Sequence, residues 1–402
     1  MASVNQKTWV EIDQAAIAHN VQQFKNIIEP EVKLLVAVKA NAYGHGLVEV
    51  SKIALAAGAD WLGVDSIDEA LALRQAGVND PILIVGYVLR SRLSEAVENG
   101  FRLIVYNRET IEELGKITSF DPSTRLRANS AQDRNSKGKI NIHLKIETGI
   151  SRQGVMPEDA PKFVKLIKKF PHLNIEGIST HFANIEDTTD YSYAQKQLKT
   201  FQEVVSSLEK EGVNIPLKHT ANSAATMLFP ETHFDIARVG ISLYGFWPSP
   251  EAQQTVGEKK KEGGVLKDFS LQTVLTWKTI VAQVKDVKVG TAVGYGCTER
   301  VERDSRIAVL PIGYWDGYDR KLSRVGEVLI KGQRCKVLGR VFMNMTVVDV
   351  TDCEEVTVED EVVLLGRQGS AEITADSLAD RIGTINYEFV TRINPLIKRV
   401  VV

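Results

Sequence analysis

The strongest constraint on this 402-residue chain is a repeated alternation. Short apolar runs at residues 34–38, 61–64, 82–85, 103–106, 142–146, 175–180, 217–220 and 236–240 are separated, in most cases, by segments of helical periodicity. Strands that alternate with helices form right-handed βαβ units and a parallel sheet, buried on both faces, which explains why the runs are continuously apolar. Eight such units in about 250 residues are the size of a (β/α)8 barrel. A doubly wound open sheet is the alternative, but no GxGxxG follows the first run. The predicted fold class is therefore α/β: a (β/α)8 TIM-like barrel followed by a mostly β C-terminal domain.

The barrel is predicted over residues 1–246, with a first strand at 8–12 and a helix after Asp13. Residues 247–264, rich in proline, glycine and charge, read as a linker. From 265 to 402 helical periodicity gives way to strands divided by Gly and Asp turns, at 274–284, 293–295, 307–312, 327–330, 335–341, 346–350 and 361–365, with one helix near 375–382. The polar stretch 119–139 reads as an exposed insertion.

Bulk properties exclude several function classes. Net charge is −2 and no basic stretch suits nucleic acid, since Lys259-Lys260-Lys261 is bracketed by glutamates and reads as solvated loop. No apolar run approaches a membrane span, and no secretory signal is visible at the N-terminus. The cysteines Cys297, Cys335 and Cys353 have no spacing suited to zinc or a disulfide framework, so a reducing cytoplasm and no metal are expected.

Chemistry concentrates where the runs end. Lys39 closes the first apolar run, where desolvation makes an amine nucleophilic; the same pattern fits a lysine that merely extends out of a core strand. Lys145, His181, Asn222, Ser223 and Arg238 also fall near strand ends, which converge on one mouth in a barrel. A reactive lysine suits an aldehyde such as pyridoxal phosphate. The glycine turn at Gly240 and the hydroxyl of Ser223 suit a phosphate, and Arg238 is a candidate partner for the pyridine nitrogen.

Together these stretches resemble the alanine racemases, fold type III pyridoxal phosphate enzymes. The first motif is Val36-Ala37-Val38-Lys39-Ala40-Asn41-Ala42-Tyr43-Gly44-His45-Gly46. The resemblance recurs at His143-Leu144-Lys145-Ile146-Glu147-Thr148-Gly149, Thr180-His181-Phe182-Ala183, His219-Thr220-Ala221-Asn222-Ser223 and Arg238-Val239-Gly240-Ile241-Ser242. It continues at Val293-Gly294-Tyr295-Gly296, Pro311-Ile312-Gly313-Tyr314-Trp315-Asp316 and Gly383-Thr384-Ile385-Asn386-Tyr387-Glu388.

The resemblance implies interconversion of L- and D-alanine by two bases on opposite faces, Lys39 and Tyr295, supplying D-alanine for peptidoglycan. It implies that Lys39 holds the cofactor covalently, that Tyr43, Ser223, Gly240, Ile241 and Tyr387 hold its phosphate beside Asn222, that Arg238 faces the ring nitrogen, and that His181 packs by the ring. Arg152 and the backbone of Met343 would bind the substrate carboxylate, with Lys145 carbamylated to orient Arg152; an unmodified Lys145 paired with Glu147 is the alternative. Tyr314, Arg340 and Ile385 would line the entrance. A homodimer with shared sites is implied, each β domain closing its partner's barrel mouth. Two positions depart from the family pattern, Asn344 and Glu147, where aspartate is usual. A broader amino-acid racemase, a related decarboxylase and a non-catalytic cofactor carrier are the competing readings.

Overall fold

In a computed structural model of the protein, residues 5–117 and 138–402 are described. The chain forms two compact units, one of residues 15–42 and 47–272, the other of residues 1–14, 43–46 and 273–402. Most of the expected insertion at 119–139 lies outside the described residues.

The first unit holds eight parallel strands: β2 (Lys33–Ala37), β3 (Trp61–Val64), β4 (Ile82–Ile84), β5 (Arg102–Val105), β6 (Ile140–Lys145), β7 (Leu173–Ser179), β8 (Leu217–His219) and β9 (Ile236–Val239). They pair in sequence order, and β9 returns to lie beside β2, so the sheet wraps into a nearly closed barrel. At the seam between β8 and β9 the Asp235 amide donates to the Lys218 carbonyl at 3.0 Å, and the Asp235 carboxylate accepts from the Lys218 amide at 2.7 Å. Leu35, Trp61, Leu83, Ile104, Leu217 and Ile236, one from each of six strands, form a buried apolar cluster. Every residue of β6 is buried, as a strand covered on both faces requires.

The alternation therefore reported the barrel correctly, and helices separate most of its strands. Ile67–Gln75 shows why: Ser66 and Glu69 form a reciprocal capping box at its start. The expected linker does not hold. Residues Pro250–Glu262 form a helix, with proline in its first turn and the Ser249 side chain accepting from the Ala252 amide. The lysine run lies in its last turn, where Lys259 Nζ donates to the Leu228 carbonyl at 2.7 Å and Lys260 Nζ to the Phe269 carbonyl at 2.8 Å. These side chains are anchored rather than merely solvated, and their charge opposes the helix dipole favourably.

The second unit is mostly β. Its main sheet follows β11 (Gln283–Val287), β14 (Ser305–Leu310), β17 (Thr346–Asp349), β16 (Gln333–Leu338), β15 (Glu327–Ile330), β18 (Glu361–Gln368), β10 (Leu275–Ile280), β1 (Thr8–Ile12) and β20 (Lys398–Val401), with β19 (Ala371–Ile373) beside β18. A short hairpin pairs β12 (Ala292–Val293) with β13 (Glu299–Arg300). Two expectations change. The strand at 8–12 forms, but it pairs with β10 and β20 and so belongs to this unit, not to the barrel. Apolar alternation marks a strand without naming its partner. The run at 274–284 is two strands, because the chain exchanges β18 for β14 as its partner around Val281 and Ala282. The helix Ala375–Ile382 appears where periodicity placed it.

Candidate active site

Lys39 stands two residues past the end of β2 and opens a turn of unusual conformation. Ala40, Asn41, Ala42 and Tyr43 all have positive φ, between 51° and 55°. Left-handed helical backbone costs roughly 1–2 kcal/mol per L-residue, so surrounding bonds must hold it. Within the barrel unit the Ala42 amide donates to the Val38 carbonyl at 2.8 Å, Tyr244 Oη to the Ala37 carbonyl at 2.8 Å, and Asn41 Oδ1 accepts from the Leu47 amide at 2.9 Å. In the second unit Arg399 grips the Gly44 carbonyl at 2.7 and 3.0 Å. Gly44 is required there, since its φ is +84° and a Cβ would stand 2.2 Å from the Val390 carbonyl oxygen. The Tyr43 and Tyr387 rings lie 6.2 Å apart between centroids.

Around the C-terminal ends of the barrel strands, four cations share one neighbourhood. Lys145, the last residue of β6, is pushed down to about 8 by burial and then by the charges of Arg238, Arg152 and Lys39. Its Nζ donates to Gln153 Oε1 at 3.2 Å, and Gln153 Nε2 in turn donates to Tyr106 Oη at 3.2 Å. The alternative partner, Glu147, is engaged elsewhere, accepting from the Gly149 amide at 2.6 Å and the Arg152 amide at 3.2 Å. His181 is held far below its ordinary value by burial and by the same cations, so it is neutral at pH 7.

Arg238 is the most constrained of the four. Its NH1 donates to the His219 carbonyl at 3.0 Å, and its NH2 to the carbonyls of Thr180 at 2.8 Å and Thr220 at 2.9 Å. Burial lowers the guanidinium to about 10, which still leaves it charged at neutral pH. NH1 also lies 2.6 Å from His219 Nδ1. Arginine can only donate, so that nitrogen accepts and His219 carries its hydrogen on Nε2. His219 Nε2 donates to His143 Nδ1 at 2.8 Å, and His143 Nε2 donates to Glu176 Oε2 at 3.1 Å. Asn141 and Arg102 complete the carboxylate at 3.1 and 3.3 Å. Burial raises the Glu176 carboxyl, but the bonds from His143 and Arg102 outweigh it and hold the group below its ordinary value. A directed line of hydrogen bonds thus runs from a cation at the mouth to an anion inside the barrel. His143 and His219 stand in the motif stretches, yet neither they nor Glu176 and Arg102 were singled out. Only packing brings those four strands' side chains into register.

The same mouth presents polar atoms suited to a ligand. Ser223 Oγ accepts from the Gly240 amide at 2.9 Å, and Asn222 caps the short helix Ser223–Leu228. The Ser242 hydroxyl, just past Ile241, is buried without a partner. Among the described residues, Arg238 Nε–H has no acceptor either, and it can only donate. A ring nitrogen's lone pair and a phosphate's oxygens fit these donors. No group of three or more His, Cys, Asp or Glu among the described residues could hold a metal ion, and no described helix is long and apolar enough to cross a membrane.

The second unit carries the remaining residues. Tyr295 is 71% exposed, flanked by Gly294 and Gly296 at φ +77° and +75°, and its ring lies 5.1 Å from that of Phe342. Arg340 packs under this turn, its amide 3.3 Å and its NH1 3.1 Å from where Cβ atoms at Gly294 and Gly296 would be. The Tyr314 and Trp315 amides donate to the Phe342 and Met343 carbonyls at 3.0 and 2.9 Å, which ties the 313–316 turn to the Arg340–Met343 strip. Met343, Asn344, Tyr314 and Ile385 are exposed, and Tyr387 is half-buried.

Comparison with known proteins gives matches along both units. The alanine racemase N-terminal domain family matches residues 12–248 and the alanine racemase C-terminal domain family residues 274–401. An alanine racemase of Methanococcus maripaludis is 40% identical over 398 residues, 99% of each chain. Alanine racemase 1 of Oceanobacillus iheyensis is 38% identical over 97% of each. The crystal structure of alanine racemase from Bacillus anthracis with bound L-Ala-P superposes with a TM-score of 0.87 at 36% identity, covering 100% of this chain and 96% of that one.

Proposed function

The chain belongs to the alanine racemase family, and from that premise we infer that it interconverts L-alanine and D-alanine with pyridoxal phosphate as cofactor. The observation that carries the reading is Lys39 on its left-handed turn at the end of β2, inside a match spanning nearly the whole chain. Bound there, pyridoxal phosphate supplies an electron sink that acidifies the substrate's α-hydrogen.

Lys39 holds the cofactor through Nζ and moves the proton on one face; Tyr295 Oη moves it on the other. Racemisation needs both, because one proton leaves and another arrives from the opposite side. Ser223, Gly240, Ile241, Tyr43 and Tyr387 hold the phosphate, with Asn222 fixing the start of the helix that bears Ser223. Arg238, whose Nε–H is left without an acceptor, would donate to the ring nitrogen while keeping its own proton, which would restrain electron withdrawal and favour reprotonation over side reactions. His181, neutral, would pack by the ring. Arg152 and the Met343 backbone receive the substrate carboxylate, and Tyr314, Arg340 and Ile385 line the way in.

Lys145 is carbamylated in this reading. A lysine lowered to about 8 spends part of its time as a free amine at neutral pH, the form that combines with carbon dioxide, and its position beside three other cations favours a negative product. The exposure of Tyr295 supports a homodimer in which the partner's second unit completes each site; a cytoplasmic location belongs to the same proposal. The product would serve peptidoglycan synthesis. Asn344, next to Met343, favours a second reading as a broader amino-acid racemase, because it removes a charge at the substrate end.

The experiment is racemisation of L-alanine in deuterium oxide by the cofactor-loaded protein. D-alanine bearing deuterium at Cα is expected. L-alanine recovered with neither inversion nor label would overturn the proposal, and a serine-to-alanine rate ratio above one would favour the broader reading.

A further inference from the structure

Two of the chain's three cysteines meet in the second unit, 18 residues apart in sequence and in no motif. Cys335 lies on β16 and is buried; Cys353 is half-buried in the turn after β17. The β16–β17 pairing sets Val337 opposite Val348, and the chain then folds back, with the Cys353 amide donating to the Val350 carbonyl at 3.1 Å. Their sulfurs are 3.1 Å apart, a hydrogen-bonding contact between two free thiols. Cys335 is otherwise bonded only weakly, to the Gln333 carbonyl at 3.8 Å. Nothing in the proposed chemistry uses either thiol.

We propose that Cys335 and Cys353 form a dithiol site that takes a hydroperoxide as oxidant and closes reversibly to an intramolecular disulfide. Cys353, on the more accessible side of the pair, attacks one peroxide oxygen; the O–O bond breaks, the other oxygen leaves with the Cys353 proton as an alcohol, or as a first water from hydrogen peroxide, and a sulfenic acid results. Cys335 then attacks the sulfenic sulfur, the S–S bond forms, and hydroxide leaves with the Cys335 proton as a second water. Two electrons pass from two thiols to one peroxide. Burial pushes the Cys335 thiol up, so it serves as the resolving thiol held against its partner rather than the first to react. A small-molecule thiol reverses the bond by exchange.

The placement gives the pair a consequence. The hairpin between β16 and β17 carries Arg340 and Met343 at its tip, and the cysteines stand at its open end. Closing them ties both legs of the segment that presents these residues. That consequence rests on the proposed function, whereas the chemistry does not, and the test reads the chemistry alone.

The full-length protein is treated with a small excess of hydrogen peroxide, blocked with N-ethylmaleimide after denaturation, and weighed intact and as non-reduced peptides. Two thiols are expected to vanish together, with a chain mass about 2 Da lower once the maleimide adducts are subtracted and a peptide joining Cys335 to Cys353, both thiols returning with dithiothreitol. Cys353→Ser should abolish the mass loss and leave Cys335 blocked by the reagent; because Cys353 is half-buried, this variant avoids disturbing the buried side of the pair. Survival of both thiols under peroxide that oxidises Cys297 would overturn the proposal. So would oxidation of Cys353 to a sulfinic acid while Cys335 stays a thiol.

Discussion

The barrel mouth and the Tyr295 face of the second unit solve the same problem in opposite ways. In the barrel, Arg238 is fixed by three carbonyls and a histidine, and Lys145 and His181 are shifted far from their ordinary values by burial and neighbouring charge. The second unit instead leaves Tyr295, Met343 and Ile385 mostly exposed, ordered by backbone turns and one aromatic neighbour. Groups that must be tuned are surrounded by their own unit. Under the proposed function, a group that meets the substrate from the other side is presented on a surface and would gain its working environment on assembly with a partner subunit. Exposed large side chains such as Tyr295 and Met343 are what the proposed assembly would cover.

The sharpest way to break this comparison is to remove one base from each region. Lys39→Ala should abolish the cofactor's visible absorbance and lower racemisation by more than about 10⁴-fold. Tyr295→Phe should retain the absorbance while lowering kcat by about 10²–10⁴-fold, with label exchange continuing on one face only. Equal loss of absorbance in both variants would erase the distinction between a holding residue and a presented one.

A smaller effect comes from the inner end of the hydrogen-bonded line. Glu176→Gln leaves Arg102 without its buried counter-ion, a change that costs about 3–5 kcal/mol and should lower the denaturation midpoint in urea. The aligned histidines should also lose their order, visible as altered ring-nitrogen shifts of His143 and His219 in NMR. A stability loss with unchanged histidine signals would make Glu176 a packing residue alone.

Acid offers a gentler test of the same contrast. His181 and His219 are buried with lowered pKa values, so the unfolded chain binds more protons than the folded one below about pH 6.5. Their contribution is complete above that pH and is lost as pH falls toward the folded values, at up to about 1.4 kcal/mol per pH unit for each. His45 is the only histidine of the second unit. Melting followed between pH 7 and pH 5 by hydrogen exchange should therefore loosen the barrel first. Simultaneous loosening of both units would refute that order. The smallest effect belongs to the helix that replaced the expected linker: Ser249→Ala should cost about 1 kcal/mol, read as a shift in melting temperature.

Much of this molecule is legible in its sequence. The barrel followed from apolar runs because a strand covered on both faces has no choice but to be apolar throughout, and the Ala375–Ile382 helix followed from its period. Lys39 stood out because a lysine ending such a run has to be explained. Other features were hidden for stated reasons. The Pro250–Glu262 helix has the composition of a loop, and it forms because Ser249 caps it and its lysines find carbonyls. Strand β1 looks like any short strand, and only its partners assign it to the second unit.

What the sequence determined by itself is the local and the periodic: element types, the strand ends where chemistry gathers, and the residue kinds able to hold a cofactor. Tertiary structure alone decided which side chains meet. The line from Arg238 through His219 and His143 to Glu176 joins four strands, β9, β8, β6 and β7. The contact of Cys335 with Cys353 joins a strand to the turn that follows its hairpin partner. Such contacts depend on barrel curvature and strand register, which arise from the packing of the whole sheet and leave no mark on the spacing of the residues they bring together.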